Sequence, residues 1–512
     1  MLPLPHKLGL SKRKFPEWRH HQPAAIRTIG ESRTKFTGIV APTGFGKSLM
    51  ILGHALHSKE RVCILTSTKS LQRQYEEDFG GQVLSIMGQS NYDCEIALAT
   101  VADAPCQGGY TCELKKGGCL PFDLKRAAVD VPIVLTNYQY WLHSMREKVG
   151  LGEFDRVIMD EAHQIGSELA KFLSTRITGH EFQDHLTSPP KGNWIEWAGL
   201  QNIHLAENLK ALKRSKSHDR FKQIAAIRVL KRKIALLAGA DKDGWILSPG
   251  YHKGEWVWDC IQPGRYASGL LFKRSDRFLL TSASIRPRTF QSLFISPKKV
   301  TFKEYPSTFP IERRPVYVLP AIAYSAQSTR EELEYLVAMM DQFIERRLDR
   351  KGIIHSVSYD RAKMFKSMSR FGDRMMTHER DELPAVAREF KASGKGVILV
   401  SPAIVEGHSF PYRDAEFTLI PKIPFLDQTT PIHRARKTHD RMYGILETCI
   451  AVRQMSGRAM RADDDQNETL ILDSQFVWLH RMYRGFFPLD FNESIQHLKC
   501  LPKPLPPLVV PK

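Results

Sequence analysis

One glycine-rich segment has the composition of a phosphate-binding loop: Ala-Pro-Thr-Gly-Phe-Gly-Lys-Ser at residues 41–48. A glycine-rich turn between a strand and a helix aims consecutive backbone N–H groups at one point, and the helix N-terminus adds partial positive charge. Lys47 is predicted to reach the β- and γ-phosphates of a nucleotide, and Ser48 to ligate Mg²⁺. The residues predicted to contact the nucleotide here are Thr43, Gly44, Phe45, Gly46, Lys47 and Ser48.

An acidic pair, Asp160-Glu161, ends a second apolar run and complements this loop. Asp160 is predicted to hold Mg²⁺ through its water shell, and Glu161 to orient and activate the attacking water. His163 is interpreted as a residue that couples the nucleotide state to a neighbouring domain. The loop and the acidic pair together predict hydrolysis of Mg-ATP.

Positive charge is needed where the γ-phosphoryl transition state develops. Arg458 and Arg461 are spaced to share one helical face, and Gln454 lies a turn earlier. All three fall in the second half of the chain, so their side chains must cross a cleft between domains. ATP would then close that cleft and hydrolysis would reopen it.

Half of the eight cysteines lie close together in the chain, separated by eleven, five and six residues: Cys94, Cys106, Cys112 and Cys119. Structural zinc sites favour cysteines two to four residues apart, and no such pair occurs among these four. Four thiolates on long loops suit an iron–sulfur cubane, in which each cysteine binds a different corner. The spacing leaves three interpretations open: an iron–sulfur cluster, a zinc site or free thiols.

Alternating strand and helix patterns indicate that these residues stand at the ends of parallel strands in α/β domains. Four strand ends with polar residues lie within residues 36–285, and the plan restarts near residue 351. A Pro-rich segment at 305–320 is predicted to contain the crossover between the two domains. The predicted division is a first domain at 1–87, 135–165 and 270–300, a cysteine insertion at 88–134, a helical insertion at 166–269, and a second domain at 301–512.

The chain is basic, with 74 Lys and Arg against 55 Asp and Glu and a formal charge of +19. Such a balance favours a polyanionic partner. Residues 206–239 are predicted to be helical and hold ten basic residues against Glu207 and Asp219. We favour nucleic-acid contact here over a merely solvated face. No apolar run reaches 18 residues and the N-terminus lacks a signal-peptide pattern, so a cytoplasmic protein without membrane contact is expected.

The order of these motifs resembles that of the superfamily 2 helicases along nearly the whole chain. Trp-Arg-His-His-Gln at 18–22 is similar to the adenine-sensing Q motif, which implies that Gln22 contacts the base with Arg19 beside it. In the motif V region Ser409 stands where relatives usually have Asp. The remaining helicase motifs are matched by 41–48, 66–74, 160–163, 281–285, 352–359, and 454–461 with Gln454, Gly457, Arg458 and Arg461.

The insertions resemble those of the XPD/DinG group of iron–sulfur helicases, because the cysteines precede Asn137-Tyr138 and a helical segment follows the acidic pair. The resemblance implies two RecA-like P-loop domains, a [4Fe–4S] cluster on the four cysteines, and an Arch-like helical insertion in the first domain. It also implies 5′-to-3′ movement on single-stranded DNA and unwinding of forked duplex by a monomer. The short Arch segment suggests a compact DinG-like member of phage or mobile-element origin. The alternatives are a translocase without processive unwinding and a scaffold that binds nucleic acid without hydrolysis.

Overall fold

The computed structural model describes residues 2–145, 150–188, 192–214, 220–250, 252–403, 414–456 and 465–506. Its N-terminal half is built on a parallel sheet that, in the described residues, has the order β10-β1-β9-β5-β2-β4-β3. The strands of this half are β1 (Phe36–Val40), β2 (Val62–Thr66), β3 (Leu84–Ser85), β4 (Ile133–Asn137), β5 (Arg156–Asp160), β6 (Thr175–Ile177), β7 (Trp245–Pro249), β8 (Trp256–Cys260), β9 (Phe278–Ser282) and β10 (Val300–Glu304).

Helices cover both faces of this first sheet. Alternate residues of β2 pack into different apolar clusters, Cys63 and Leu65 on one face and Val62 and Ile64 on the other. Strands buried on both faces are apolar throughout, as a parallel sheet requires. The helices of this half are α1 (Gln22–Glu31), α2 (Lys47–Ser58), α3 (Lys69–Phe79), α4 (Leu120–Ala127), α5 (Tyr138–Ser144), α6 (Ile165–Leu173), α7 (Gly179–His185), α8 (Trp194–Arg214), α9 (Arg220–Ala238), α10 (Ala267–Leu270) and α11 (Pro287–Ser292).

A second parallel sheet supports the C-terminal half, with the order β13-β14-β12-β15-β16-β11-β17 in the described residues. Its strands are β11 (Val316–Ile322), β12 (Gly352–His355), β13 (Met375–Met376), β14 (Ile398–Ser401), β15 (Phe417–Ile420), β16 (Glu468–Asp473) and β17 (Ile495–His497). Its helices are α12 (Arg330–Glu345), α13 (Tyr359–Met368), α14 (Leu383–Ala392), α15 (Pro431–His439), α16 (Tyr443–Ser456), α17 (Gln475–Tyr483) and α18 (Leu489–Ser494).

The segment predicted as a helical insertion contains a small antiparallel sheet as well as helices. Strands β6, β8 and β7 pair in that order, and α8 packs against α9. Trp258 of β8 is fully buried and stacks on Trp197 of α8, with ring centroids 5.8 Å apart. The helical pattern was predicted because α8 and α9 dominate the segment, whereas strands of three to five residues give little periodic signal.

The two predicted α/β domains are therefore confirmed as parallel-sheet domains of the RecA-like kind. The predicted residue boundaries stay predictions, although β10 pairs with β1 and so belongs to the first sheet. No helix in the described part of the chain is both long and apolar enough to span a membrane.

Candidate nucleotide site and nucleic-acid surface

The predicted phosphate loop connects the carboxyl end of β1 to the N-terminus of α2, where Lys47 is the first helical residue. Gly44 and Gly46 have φ angles of +77° and +76°, which side chains with a Cβ rarely adopt. A Cβ on Gly46 would also overlap the side chain of Gln22. Both glycines are thus required by the shape of the loop, and the loop has the strand–turn–helix setting that anion binding needs.

Gln22 holds this loop in place. Its side chain is fully buried and donates from Nε2 to the carbonyl oxygens of Phe45 (2.9 Å) and Gly46 (3.0 Å). Its Oε1 accepts from the backbone N–H of Arg19 at 2.9 Å, and the Arg19 guanidinium donates to the Gly44 carbonyl. The predicted Q-motif residues therefore brace the loop through its backbone, and their predicted contact with adenine stays a prediction.

Lys47 and Glu161 meet across the site, with Nζ 3.2 Å from Oε1. Glu161 follows β5 with a φ of +50°, an unusual value for a residue with a side chain, and this turn directs it away from the strand. Burial favours the neutral acid, but Lys47 and His163 outweigh it and hold the pKa of Glu161 well below its usual range. Glu161 is therefore ionised, which is the state that a base requires.

Asp160 is held by two tyrosines to which the sequence interpretation assigned no role. The fully buried Tyr75 donates to Asp160 Oδ2 at 2.9 Å, and Tyr138 donates to the Asp160 carbonyl at 2.9 Å. Burial, reinforced by Glu161, raises the pKa of Asp160 to about 6. The Tyr75 hydroxyl also interacts with Ser48, so it joins the two residues predicted to ligate Mg²⁺. Tyr75 directly follows the helicase-motif segment 66–74, and this position was the only available signal.

A hydrogen-bonded relay runs from Glu161 to the second domain. The Ser282 hydroxyl donates to Glu161 Oε2 at 3.2 Å and lies 2.7 Å from His163 Nδ1. Because that hydroxyl has one hydrogen, His163 is assigned as the donor of its own bond to Ser282. The Ser284 N–H donates to Ser282 Oγ at 3.1 Å, and Gln454 Nε2 donates to Ser284 Oγ at 2.7 Å. His163 contacts this path at Ser282, and its predicted coupling role stays a prediction.

The second domain also brings Arg453 to the phosphate loop. Its Nη2 lies 3.5 Å from Thr43 Oγ1 and 2.7 Å from Asp490 Oδ2. Sequence patterns missed Arg453 because it stands one residue before the motif that begins at Gln454. The predicted site residues Gly457, Arg458 and Arg461, and Ser409 of the motif V region, lie outside the described residues.

The four clustered cysteines all carry free thiols. Burial raises the pKa of Cys119, and the thiols of Cys106, Cys112 and Cys94 raise it further, so the four lie in one neighbourhood. Within the described ranges, however, no group of three or more His, Cys, Asp or Glu side chains is arranged to hold a metal ion. Four cysteine thiols suit an iron–sulfur cluster in number and chemical type. Because the described residues form no metal-holding arrangement, the cluster, the zinc site and free thiols all stay open as predictions.

The cysteine segment docks on helix α9. Gly108 packs so closely on the backbone of Phe221 that a Cβ would overlap it. The Arg228 guanidinium donates to the Gln107 carbonyl, and the Tyr110 ring meets the Phe221 ring edge-on with centroids 6.0 Å apart. The two insertions therefore touch each other as well as the first domain.

Basic side chains remain exposed on the paired helices α8 and α9. In the described part of this segment, the exposed basic residues are Lys210, Lys213, Arg214, Lys222 and Arg232. Others are engaged, since Lys233 pairs with Glu181 at 2.8 Å. The exposed set leaves a positively charged surface next to the cysteine segment.

Two family models match separate parts of the chain. Residues 15–186 match the Type III restriction enzyme res subunit, and residues 343–493 match the Helicase C-terminal domain. Solved XPD structures match nearly the whole chain. These matches confirm the predicted resemblance to the XPD/DinG-like superfamily 2 helicases. The predicted phage or mobile-element origin stays a prediction.

The structural matches to this helicase combine low sequence identity with nearly complete coverage. An XPD helicase has a TM-score of 0.62 at 15% identity and covers 93% of this chain and 98% of its own. The Xpd protein of S. tokodaii has a TM-score of 0.58 at 11% identity with the same coverage of both chains. An XPD structure in the apo form has a TM-score of 0.59 at 14% identity and covers 93% and 99%. At these identities the matches show a shared fold. None of the curated proteins compared with the helicase matches it.

Proposed function

We propose that this nucleic-acid helicase is an ATP-driven DNA helicase that moves 5′ to 3′ on single-stranded DNA and unwinds forked duplex as a monomer. The observation that carries the proposal is the continuous contact from Lys47 through Glu161 and Ser282 to Ser284 and Gln454. This path joins the predicted hydrolytic base to the second domain. A motor needs such a path because hydrolysis has to change the position of one domain relative to the other.

In this proposal Lys47 and Ser48 bind the terminal phosphates and Mg²⁺, and Asp160 supports the ion through its water shell. Glu161 accepts the proton of the attacking water, Gln454 senses the phosphate, and Arg458 and Arg461 stabilise the charge that develops on it. Gln22 and Arg19 bind adenine, and Gly457 lets the backbone approach the nucleotide. Tyr75 fixes the orientation of Asp160, because its buried hydroxyl remains a donor.

The proposed cofactor of the 88–134 segment is a [4Fe–4S] cluster on Cys94, Cys106, Cys112 and Cys119. Support comes from the shared neighbourhood of four free thiols and from the lack of extensive regular structure in the segment, where short 3₁₀ turns and α4 predominate. A cluster would supply folding energy to a segment too small for its own core. The cysteine segment and the basic α8–α9 pair, the proposed Arch, would together hold the DNA strand.

The decisive experiment is strand displacement with 5′-tailed and 3′-tailed duplexes on protein purified without oxygen. Unwinding of the 5′-tailed duplex alone, dependent on Mg-ATP, is the expected result. ATP turnover and movement on single strands without displacement would favour the translocase. Absence of nucleic-acid-stimulated ATP turnover would contradict both.

A further inference from the structure

A small cleft of about 30 Å³, open to solvent, lies between the phosphate loop and the second domain. Thr43 lines it from the first domain, and Arg314, Arg453, Ser456 and Asp490 line it from the second. Ser307 and Ser494 add two more hydroxyl groups to its wall. The cleft therefore presents hydroxyl donors and guanidinium groups beside a loop that binds phosphate.

The charge of this cleft is not balanced by its own lining. Arg453 is 5% exposed, and its pairing with Asp490 at 2.7 Å leaves its buried Nε without a hydrogen-bond partner in the described part of the chain. Arg314 donates to the carbonyls of Phe309 and Asp490. The carboxylate of Glu493, which does not line the cleft, is half exposed and lies 3.9 Å from Arg314. Two guanidinium groups thus face one lining carboxylate.

The two guanidinium groups also act on each other. Burial lowers the pKa of Arg314, and Arg453 lowers it further while Asp490 opposes this. A buried donor without a partner and a close pair of like charges are both costly unless an anion completes them. The Asp490 carboxylate balances the two guanidinium groups only in part, because its Oδ1 has no hydrogen-bond partner in the described residues.

The chemistry of the lining selects a compact oxyanion. Guanidinium groups and hydroxyls bind phosphate through several charge-assisted hydrogen bonds. Thr43 Oγ1, 3.5 Å from Arg453 Nη2, connects the cleft to the loop that binds the nucleotide. An oxyanion that forms at the nucleotide can therefore reach Arg453 without leaving the domain interface.

We propose that this cleft binds a phosphate group, with Arg453 as its main donor and Asp490 as the carboxylate that the phosphate displaces. The site rests on the proposed ATP hydrolysis, since that reaction supplies the ligand. Two sources share this chemistry: the terminal phosphate of bound ATP and the inorganic phosphate released from it. Asp490 acts as an internal competitor that returns to Arg453 when the phosphate leaves.

Equilibrium binding to the full-length protein tests the site without turnover. Inorganic phosphate is titrated calorimetrically into protein saturated with Mg-ADP, and the affinities for AMP-PNP and ADP are measured separately. Arg453→Gln should weaken phosphate binding about 10-fold or more, because a charge-assisted hydrogen bond is lost. Asp490→Asn should strengthen it about threefold or more, because the competing charge is removed. Arg370→Gln, at an exposed arginine of the same domain, is the matched control and should change nothing.

Both variants break the Arg453–Asp490 ion pair, so a purely structural effect of that loss would change phosphate affinity in the same direction in both. A binding site instead predicts weaker phosphate binding for Arg453→Gln and stronger binding for Asp490→Asn. Two variants that change binding in the same direction, or not at all, would overturn the proposal. Phosphate binding to the ADP complex that depends on Arg453 identifies released phosphate as the ligand. If the variants change the affinity for AMP-PNP and leave the affinity for ADP unchanged, the ligand is the terminal phosphate of ATP. These binding equilibria can be measured even if the protein shows no unwinding activity. The phosphate-site proposal and the helicase proposal can therefore be refuted independently.

Discussion

Gln454 of the second domain donates a 2.7 Å hydrogen bond to the Ser284 hydroxyl of the first. Ser284 in turn contacts Ser282, which contacts the predicted base Glu161. The position of the second domain is thereby linked to Glu161, the residue predicted to activate water. A link of this kind has to transmit in both directions, because coupling between two sites is reciprocal in free energy.

Removal of either partner of this bond should weaken the coupling. Ser284→Ala and Gln454→Ala should each reduce the stimulation of ATP turnover by single-stranded DNA about threefold to tenfold, in line with one lost hydrogen bond. The double variant should match the single ones, which a double-mutant cycle measures. Gln496→Ala, an exposed glutamine of the same domain, is the control. Additive losses would show that the two residues act independently.

Substitution in the phosphate site should stop turnover and spare DNA binding. Lys47→Ala removes the phosphate contact, and Glu161→Gln removes the base while keeping its shape. Each should lower stimulated ATP turnover by about 100-fold or more. Single-strand affinity, measured by fluorescence anisotropy, should stay within about twofold, because DNA is expected to contact other surfaces. Lys12→Ala is the exposed control, and unchanged turnover in either site variant would contradict the assigned roles.

Protein purified without oxygen should be brown and contain about four irons per chain. Cys112→Ser should bleach this colour and impair unwinding more than ATP turnover, because none of the proposed nucleotide contacts lies in the cysteine segment. Cys500→Ser removes an exposed thiol elsewhere and should leave the spectrum unchanged. A colourless wild-type protein that contains one zinc ion would exclude the cluster.

Glu60 should make the first domain sensitive to acid. Its carboxylate lies 2.9 Å from both Arg156 and Arg277 and 3.2 Å from His54. Burial opposes its ionisation, but His54 and Arg156 outweigh burial and lower its pKa to about 2. A carboxyl whose pKa is lowered by folding stabilises the protein above its unfolded pKa, and this contribution is lost as the pH falls toward the folded value.

Glu60→Gln should therefore lower the free energy of unfolding at pH 7 by about 2 to 3 kcal/mol, since it leaves the buried Arg156 without a charge partner. The difference from wild type should shrink as the pH is lowered from 5 toward 3. Chemical denaturation across this range measures both effects. A difference that is constant with pH would show that ionisation of Glu60 is not the cause.

The exposed basic side chains of α8 should contribute to DNA affinity in a salt-dependent way. Lys213→Glu with Arg214→Glu should weaken single-strand binding at low salt. The slope of log affinity against log salt should fall by about one for each DNA phosphate that the variant no longer neutralises. Lys395→Glu is the matched control. It precedes β14 and so lies at the edge opposite the carboxyl ends of the second sheet. An unchanged slope in the α8 variant would place the DNA elsewhere.

The sequence by itself determined the two α/β domains and the loop–strand chemistry of the first. Lys47, Asp160 and Glu161 could be found because short-range order, strand then turn then helix, fixes where the side chains of such motifs lie. The cysteine cluster was found for the same reason, by its local density. Each of these signals lies within one short segment of the chain, the longest being 94–119.

Only the tertiary structure decided which distant residues complete the site. Tyr75 reaches Asp160 across 85 positions, and Arg453 reaches Thr43 across 410. In the helical insertion, likewise, Trp258 of the three-stranded sheet packs on the distant Trp197. Such contacts leave no periodic trace in a single sequence, because they are selected by the packing of whole elements and by the pairing of buried polar groups.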